Sequence, residues 1–177
     1  MMTDLVLVNK FDNVIGKEEK LKAHKEGKLH RAFSILIFNS KNELLLQKRA
    51  SSKYHSGGLW TNTCCSHPMP NEVLEEAIHR RLKEEMGFDT ELKELFSFSY
   101  TKKFDNGLIE NEIDHVFIGF SNEKPKKNTE EFEDFKYIKL SGLIKDMKNN
   151  LESYTYWFRE IILNKKNFGA LKDGLKA

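Results

Sequence analysis

Two apolar runs lie close together in the first third of the chain. Phe33-Ser34-Ile35-Leu36-Ile37-Phe38-Asn39 is followed, after Ser40-Lys41-Asn42, by Leu44-Leu45-Leu46-Gln47-Lys48-Arg49. Short apolar runs bounded by turn residues predict buried strands, and their proximity predicts a hairpin. Residues 5–9 predict an earlier strand. From 72 to 86 the period changes: Leu74, Ile78, Leu82 and Met86 recur at every fourth position, with Gly87 placed to cap the end. That stripe predicts a helix whose other faces carry Glu75, Glu76, Arg80, Arg81, Glu84 and Glu85. Residues 92–101 and 110–120 predict two longer strands around Asp105-Asn106-Gly107. A short strand over 135–140 and helices over 141–150 and 153–164 follow. Residues 50–70, with Gly57-Gly58, Pro68 and Pro70, predict a long ordered loop of the kind that carries function. Residues 122–134 predict a charged surface loop, and the polar last ten residues a frayed end. The sum is a mixed α/β (α+β) fold, read as a single domain over 1–177 with no internal repeat.

Composition narrows the class. With 177 residues, 39% hydrophobic and 32% charged, the chain reads as globular and long enough to bury about two-thirds of its unfolded surface. A net charge of +2 gives no electrostatic ground for binding nucleic acid. The placement of charge is more telling: Lys17, Lys20, Lys22, Lys25, Lys28 and Arg31 crowd one segment, and Lys48, Arg49 and Lys53 form a second. Such clusters can focus a positive field on a small polyanion. No apolar run approaches the roughly 20 residues of a membrane helix, and the first residues lack a signal-peptide pattern. The two cysteines, adjacent at 64 and 65, make a poor staple and read as free thiols in a reducing compartment. A cytoplasmic protein without membrane or nucleic-acid partners is expected.

Chemistry concentrates in Trp60-Thr61-Asn62-Thr63-Cys64-Cys65-Ser66-His67-Pro68. Cys64 reads as a small buried hydrophobe. Cys65, near cationic groups and a metal, is expected to have a lowered pKa and to serve as base, nucleophile or ligand. In Glu110-Asn111-Glu112-Ile113-Asp114-His115 the period of two puts Glu110 and Glu112 on one strand face. If that face is buried, a cation or donors must hold the pair; an exposed strand face is the alternative. His115 falls on the opposite face and reads as structural or surface. His24, His30 and His67 together with carboxylates suit Mn, Zn or Fe, although their separations alone do not unite them.

Between Ser66 and Phe88 the helix resembles the Nudix box, a loop–helix–loop signature whose glutamates hold divalent cations against a diphosphate. Ser66 stands at the usual first glycine, and Arg80-Arg81 stands where hydrolytic members read Arg-Glu. The structural alternative is a charged helix stabilised by pairs such as Arg81–Glu85. Taken with Ala23-His24, Leu29-His30-Arg31-Ala32-Phe33-Ser34, the Trp60–Pro68 segment and Glu110-Asn111-Glu112, the chain from Val8 to Ile162 resembles the type I isopentenyl-diphosphate isomerases. The Arg-Arg departure is itself typical of that branch. The resemblance implies a Nudix-like mixed β-sheet sandwiched by helices and an enzyme of isoprenoid biosynthesis that acts on a prenyl diphosphate. It implies a metal site of His24, His30, His67, Glu110 and Glu112, holding Mn2+ or Zn2+. It implies Cys65 as one acid/base group and Glu112, assisted by Tyr100, as the other. Glu85 would help bind Mg2+ carried with the diphosphate, Lys20, Arg49, Lys53 and Arg81 would contact the diphosphate, and Trp157 would line the site. A monomer or weak dimer is expected. A Nudix hydrolase of a nucleotide or prenyl diphosphate is the competing expectation.

Overall fold

The computed structural model describes residues 3–126 and 128–177; Met1, Met2 and Lys127, the last within the loop expected over 122–134, lie outside them. The strands are β1 (Asp4–Val8), β2 (Val14–Glu19), β3 (His30–Phe38), β4 (Glu43–Arg49), β5 (Trp60–Thr61), β6 (Cys64–Ser66), β7 (Leu92–Lys103), β8 (Ile109–Phe120) and β9 (Phe132–Lys139). The helices are α1 (Lys20–Glu26), α2 (Leu74–Met86), α3 (Leu140–Asn149), α4 (Tyr156–Leu163) and α5 (Lys165–Lys176). Among the described residues no helix is long and apolar enough to cross a membrane.

The expected hairpin of β3 and β4 forms only at its closed end, where Asn39 N donates to the Glu43 carbonyl at 3.0 Å, and the strands then splay apart. The two strands share only the Phe38–Leu44 pair. Instead β3 runs parallel to β8 from His30–Glu112 to Phe38–Phe120, and β4 runs antiparallel to β9. The gap left as β3 and β4 part is entered by β6, which pairs with β3 through Ser34–Cys65 and Ile35–Cys64, and by β5, which pairs with β4. Apolar runs report burial on both faces but not which distant strand lies alongside.

Strand alternation then sorts side chains between two layers. Phe33, Ile35, Ile37, Leu45 and Phe117 face α2 and pack on Ala77, Ile78, Leu82 and Met86. Leu36, Phe38, Leu44, Leu46, Val116 and Ile118 face α3, α4 and α5, packing on Leu143, Met147, Phe158, Ile161 and Leu171. The sheet is therefore sandwiched by helices, as expected. Helix α2 ends at Gly87, whose φ of 76° closes a left-handed cap on the Lys83 carbonyl.

Several elements were missed: α1, β2, the short strands β5 and β6 inside the expected 50–70 loop, and α5. Strand β2 buries no residue fully, so it has no apolar face for a pattern to reveal. The last ten residues are not frayed: they lie within α5. Asn164 caps this helix by accepting from the amides of Lys166 and Asn167, and Phe168, Leu171 and Leu175 turn one face to the core. Gly174 abuts β7 so closely that a Cβ there would come within 2.5 Å of Leu95. Composition hid a periodic stripe. Because Leu171 is fully buried, Leu171→Ala is expected to destabilise the fold by about 3 kcal/mol in urea denaturation; an unchanged midpoint would mean that α5 adds nothing to the core.

The amino-terminal hairpin is tied down away from the cavity. Asp12, in its turn, accepts from Arg31 Nε at 2.8 Å and faces His115 Nε2 at 2.8 Å, while His115 Nδ1 lies 2.6 Å from Glu94. His115 thus has the structural place expected of it. The early basic cluster is mostly spent in the same way, with Lys17 on Asp4 and Lys22 and Lys28 on Glu18. Lys20 alone of that cluster lines the central cavity.

Candidate active site

His24, His30, His67, Glu110 and Glu112 each offer a ligand atom within 4.8 Å of all the others. The fold makes this set. His30 opens β3 and is the direct register partner of Glu112 on β8; Glu110 shares that strand face two residues earlier. His67 follows β6 beside β3, and α1 brings in His24. Both His24 and His30 are fully buried. His24 Nδ1 donates to the Lys20 carbonyl at 2.7 Å and His30 Nδ1 to the Lys28 carbonyl at 2.8 Å. Each ring therefore turns the Nε2 lone pair inward, the arrangement that backbone carbonyls impose on metal-binding histidines. Glu112 Oε1 lies 3.1 Å from His30 Nε2 and 2.9 Å from His67 Nε2. His24 Nε2 and Glu110 Oε2 are buried without a hydrogen-bond partner. Acceptors converging in a buried space require a proton or a cation between them, and three imidazoles with two carboxylates form a donor set suited to a divalent transition metal. The residues fit such an ion.

The electrostatics are uneven across the pair of carboxylates. Burial, then the neighbouring Glu112, pushes the Glu110 carboxyl up to about 7. Burial would raise Glu112 as well, but His30 and His67 outweigh it and hold Glu112 well below the usual range. Burial drives His67 down to about 3, so its ring stands neutral, the form able to ligate a metal. Tyr100 Oη donates to the other oxygen of Glu112 at 2.7 Å.

Beside this set lies a cavity of about 460 Å³ whose lining includes Cys65, Tyr100, Glu112, Trp157, Lys20 and Arg49. The two cysteines separate by strand alternation, as expected. Cys64 is fully buried with Ile35 in the α2-side core, whereas Cys65 turns with Ser34 toward the cavity. One expectation for Cys65 is overturned. Its thiol is not acidified: burial pushes it up to about 12 despite the pull of Arg49, so it stands protonated at neutral pH. Trp157 carries the Arg49 guanidinium 5.3 Å from its ring centroid.

The basic side of the cavity is more occupied than the sequence suggests. Arg81 Nη1 donates to Glu84 at 2.6 Å, and Nη2 to Glu85 at 2.7 Å and Glu131 at 3.0 Å. Lys53 donates to Glu131 at 2.7 Å, and Gln47 to Glu85 at 2.8 Å. The Nε atoms of Arg49 and Arg81 are buried with no partner. Sequence reasoning missed Glu131 and His55, whose Nε2 comes 2.7 Å from Glu110 Oε1. It also missed Asp114, which accepts from Ser34 Oγ at 2.8 Å beneath the cavity. The first two stand in irregular segments without periodicity; Asp114 shares the face of Glu110 and Glu112 and could have been read from the same alternation.

The model of the NUDIX domain family matches residues 28–158. An isopentenyl-diphosphate Delta-isomerase 2 of Photorhabdus laumondii is 54% identical over 158 residues, covering 89% of each chain. The protein of the same description in Aromatoleum aromaticum is 51% identical over 157 residues, 89% of this chain and 83% of that one. This chain belongs to the isopentenyl-diphosphate isomerase family of NUDIX proteins. Solved structures agree on the fold. A Deinococcus radiodurans protein superposes with a TM-score of 0.76 at 19% identity, covering 91% of this chain and 98% of that one. A MutT protein of Methanosarcina mazei gives 0.64 at 20% identity, with 77% and 91% covered. In this chain α2 corresponds to the box helix, and its Arg81 is paired with Glu84, Glu85 and Glu131.

Proposed function

We propose that the chain interconverts isopentenyl diphosphate and dimethylallyl diphosphate by proton addition and removal. The observation that carries this reading is that two groups able to transfer a proton line one cavity: the Cys65 thiol, held protonated by burial, and the Glu112 carboxylate bonded to Tyr100. Moving a double bond by one carbon needs a proton delivered to one end of a three-carbon unit and another taken from its far end, and the two groups exchange roles with direction. The cation formed between these steps is tertiary. The π face of Trp157, which already carries the Arg49 guanidinium, supports positive charge.

A Mn2+ or Zn2+ ion held by His24, His30, His67, Glu110 and Glu112 would supply charge that fixes Glu112 and tunes its proton affinity. Lys20, Arg49, Lys53 and Arg81 would seat the diphosphate, with Glu85 engaging its Mg2+. No residue of this set is required to activate a hydrolytic water. The test is phosphorus and proton NMR of the purified protein with isopentenyl diphosphate, Mg2+ and Mn2+. Dimethylallyl diphosphate should accumulate to an equilibrium with the diphosphate intact. Release of inorganic phosphate as the only change would establish the hydrolase instead.

A further inference from the structure

Glu131 lies in the turn just before β9, inside the segment 122–134 that the sequence predicts as no more than a charged surface loop. Its carboxylate is shared: Oε2 accepts from Lys53 at 2.7 Å and Oε1 from Arg81 at 3.0 Å. It lines the same cavity as both partners. We propose that Glu131 is a displaceable stand-in for an anionic ligand, occupying Lys53 and Arg81 until a diphosphate takes its place.

Charge counting carries the argument. Lys53 and Arg81 supply two positive charges, and Glu85 and Glu131 bonded to them supply two negative ones, with Glu84 shared between Arg81 and Arg80 as a third carboxylate. While the carboxylates stay in place, neither Lys53 nor Arg81 has charge left over for a diphosphate. Glu85 cannot withdraw: it is buried, borne on α2, and bonded by both Gln47 and Arg81. Glu84 is half exposed and bonds the outer nitrogen Nη1. Glu131 alone bridges both cations, and its side chain projects from a turn. That turn is anchored independently through backbone bonds, Ala50 N to the Glu131 carbonyl at 3.0 Å and Glu131 N to the Asn128 carbonyl at 3.1 Å. The carboxylate can therefore swing aside without unfolding the segment. Its departure frees one donor on each cation beside the Arg81 Nε that already lacks a partner. A carboxylate exchanged for a diphosphate leaves both cations satisfied before and after binding, which avoids the cost of two bare charges in a partly buried wall.

The inference rests on the anion seat of the proposed isomerase, and calorimetry separates the two. Inorganic diphosphate with Mg2+ is titrated into the wild-type protein, Glu131→Gln and Glu131→Ala, with thermal melts confirming that all three fold. Removing the competing charge should tighten binding about tenfold, and the KM for isopentenyl diphosphate should fall while kcat does not rise. Unchanged or weaker binding by both variants would overturn the stand-in role and leave Glu131 as a positioning residue for Lys53. No binding of diphosphate by any of the three would remove the anion seat itself, and the stand-in role with it.

Discussion

Cys65→Ala is expected to lower kcat by about 10³-fold or more, while Cys64→Ala should keep most of the turnover. The two residues are neighbours, so the contrast isolates orientation. On β6 the Cys65 side chain follows Ser34 to the cavity, and that of Cys64 follows Ile35 into the core under α2. The Cys65 thiol is held protonated by burial, and alanine has no proton to give. Cys64→Ala removes one heavy atom from a packed core and costs about 1 kcal/mol of stability, which urea denaturation would register without a loss of rate. Equal losses of turnover in the two variants would place the reactive thiol wrongly.

Glu112→Gln is expected to lower kcat by about 10³-fold and to weaken the bound cation on the order of 10–100-fold. Glu112 accepts from Tyr100 on one oxygen and lies within 3.1 Å of His30 and His67 on the other, so one side chain joins the metal set to the proton-transfer pair. The amide keeps the shape but loses the charge that balances the ion and the basicity that receives a proton. Steady-state kinetics and metal analysis of the same preparation check both effects. Near-wild-type turnover would remove Glu112 from the proton-transfer pair.

How far the sequence reaches can be seen residue by residue. Glu110 and Glu112 announce themselves by alternation, and the α2 stripe from Leu74 to Met86 announces the helix that carries Glu85 and Arg81, because both are local periodicities. The union of His24, His30 and His67 does not follow from spacing. It depends on β3 lying between β6 and β8, a non-local pairing that adjacent apolar runs disguised as a β3–β4 hairpin. Family resemblance supplied that union where periodicity could not. Glu131 and His55 stayed hidden for a different reason: irregular backbone places them, and an isolated charge in a polar loop looks like solvated surface. The Cys65 thiol shows the limit of electrostatics read from sequence, since a metal and cationic groups nearby suggested acidification, whereas burial pushes the thiol up.

The central claim is that this site moves protons on carbon. The most direct measurement is the interconversion run in deuterium oxide with the metal-loaded protein, followed by proton NMR and mass spectrometry. Dimethylallyl diphosphate formed from isopentenyl diphosphate should carry deuterium in a methyl group, and isopentenyl diphosphate recovered at equilibrium should carry it at the carbon next to the CH2–O group. Recovery of both compounds without carbon-bound deuterium, or hydrolysis with no interconversion, would contradict the account.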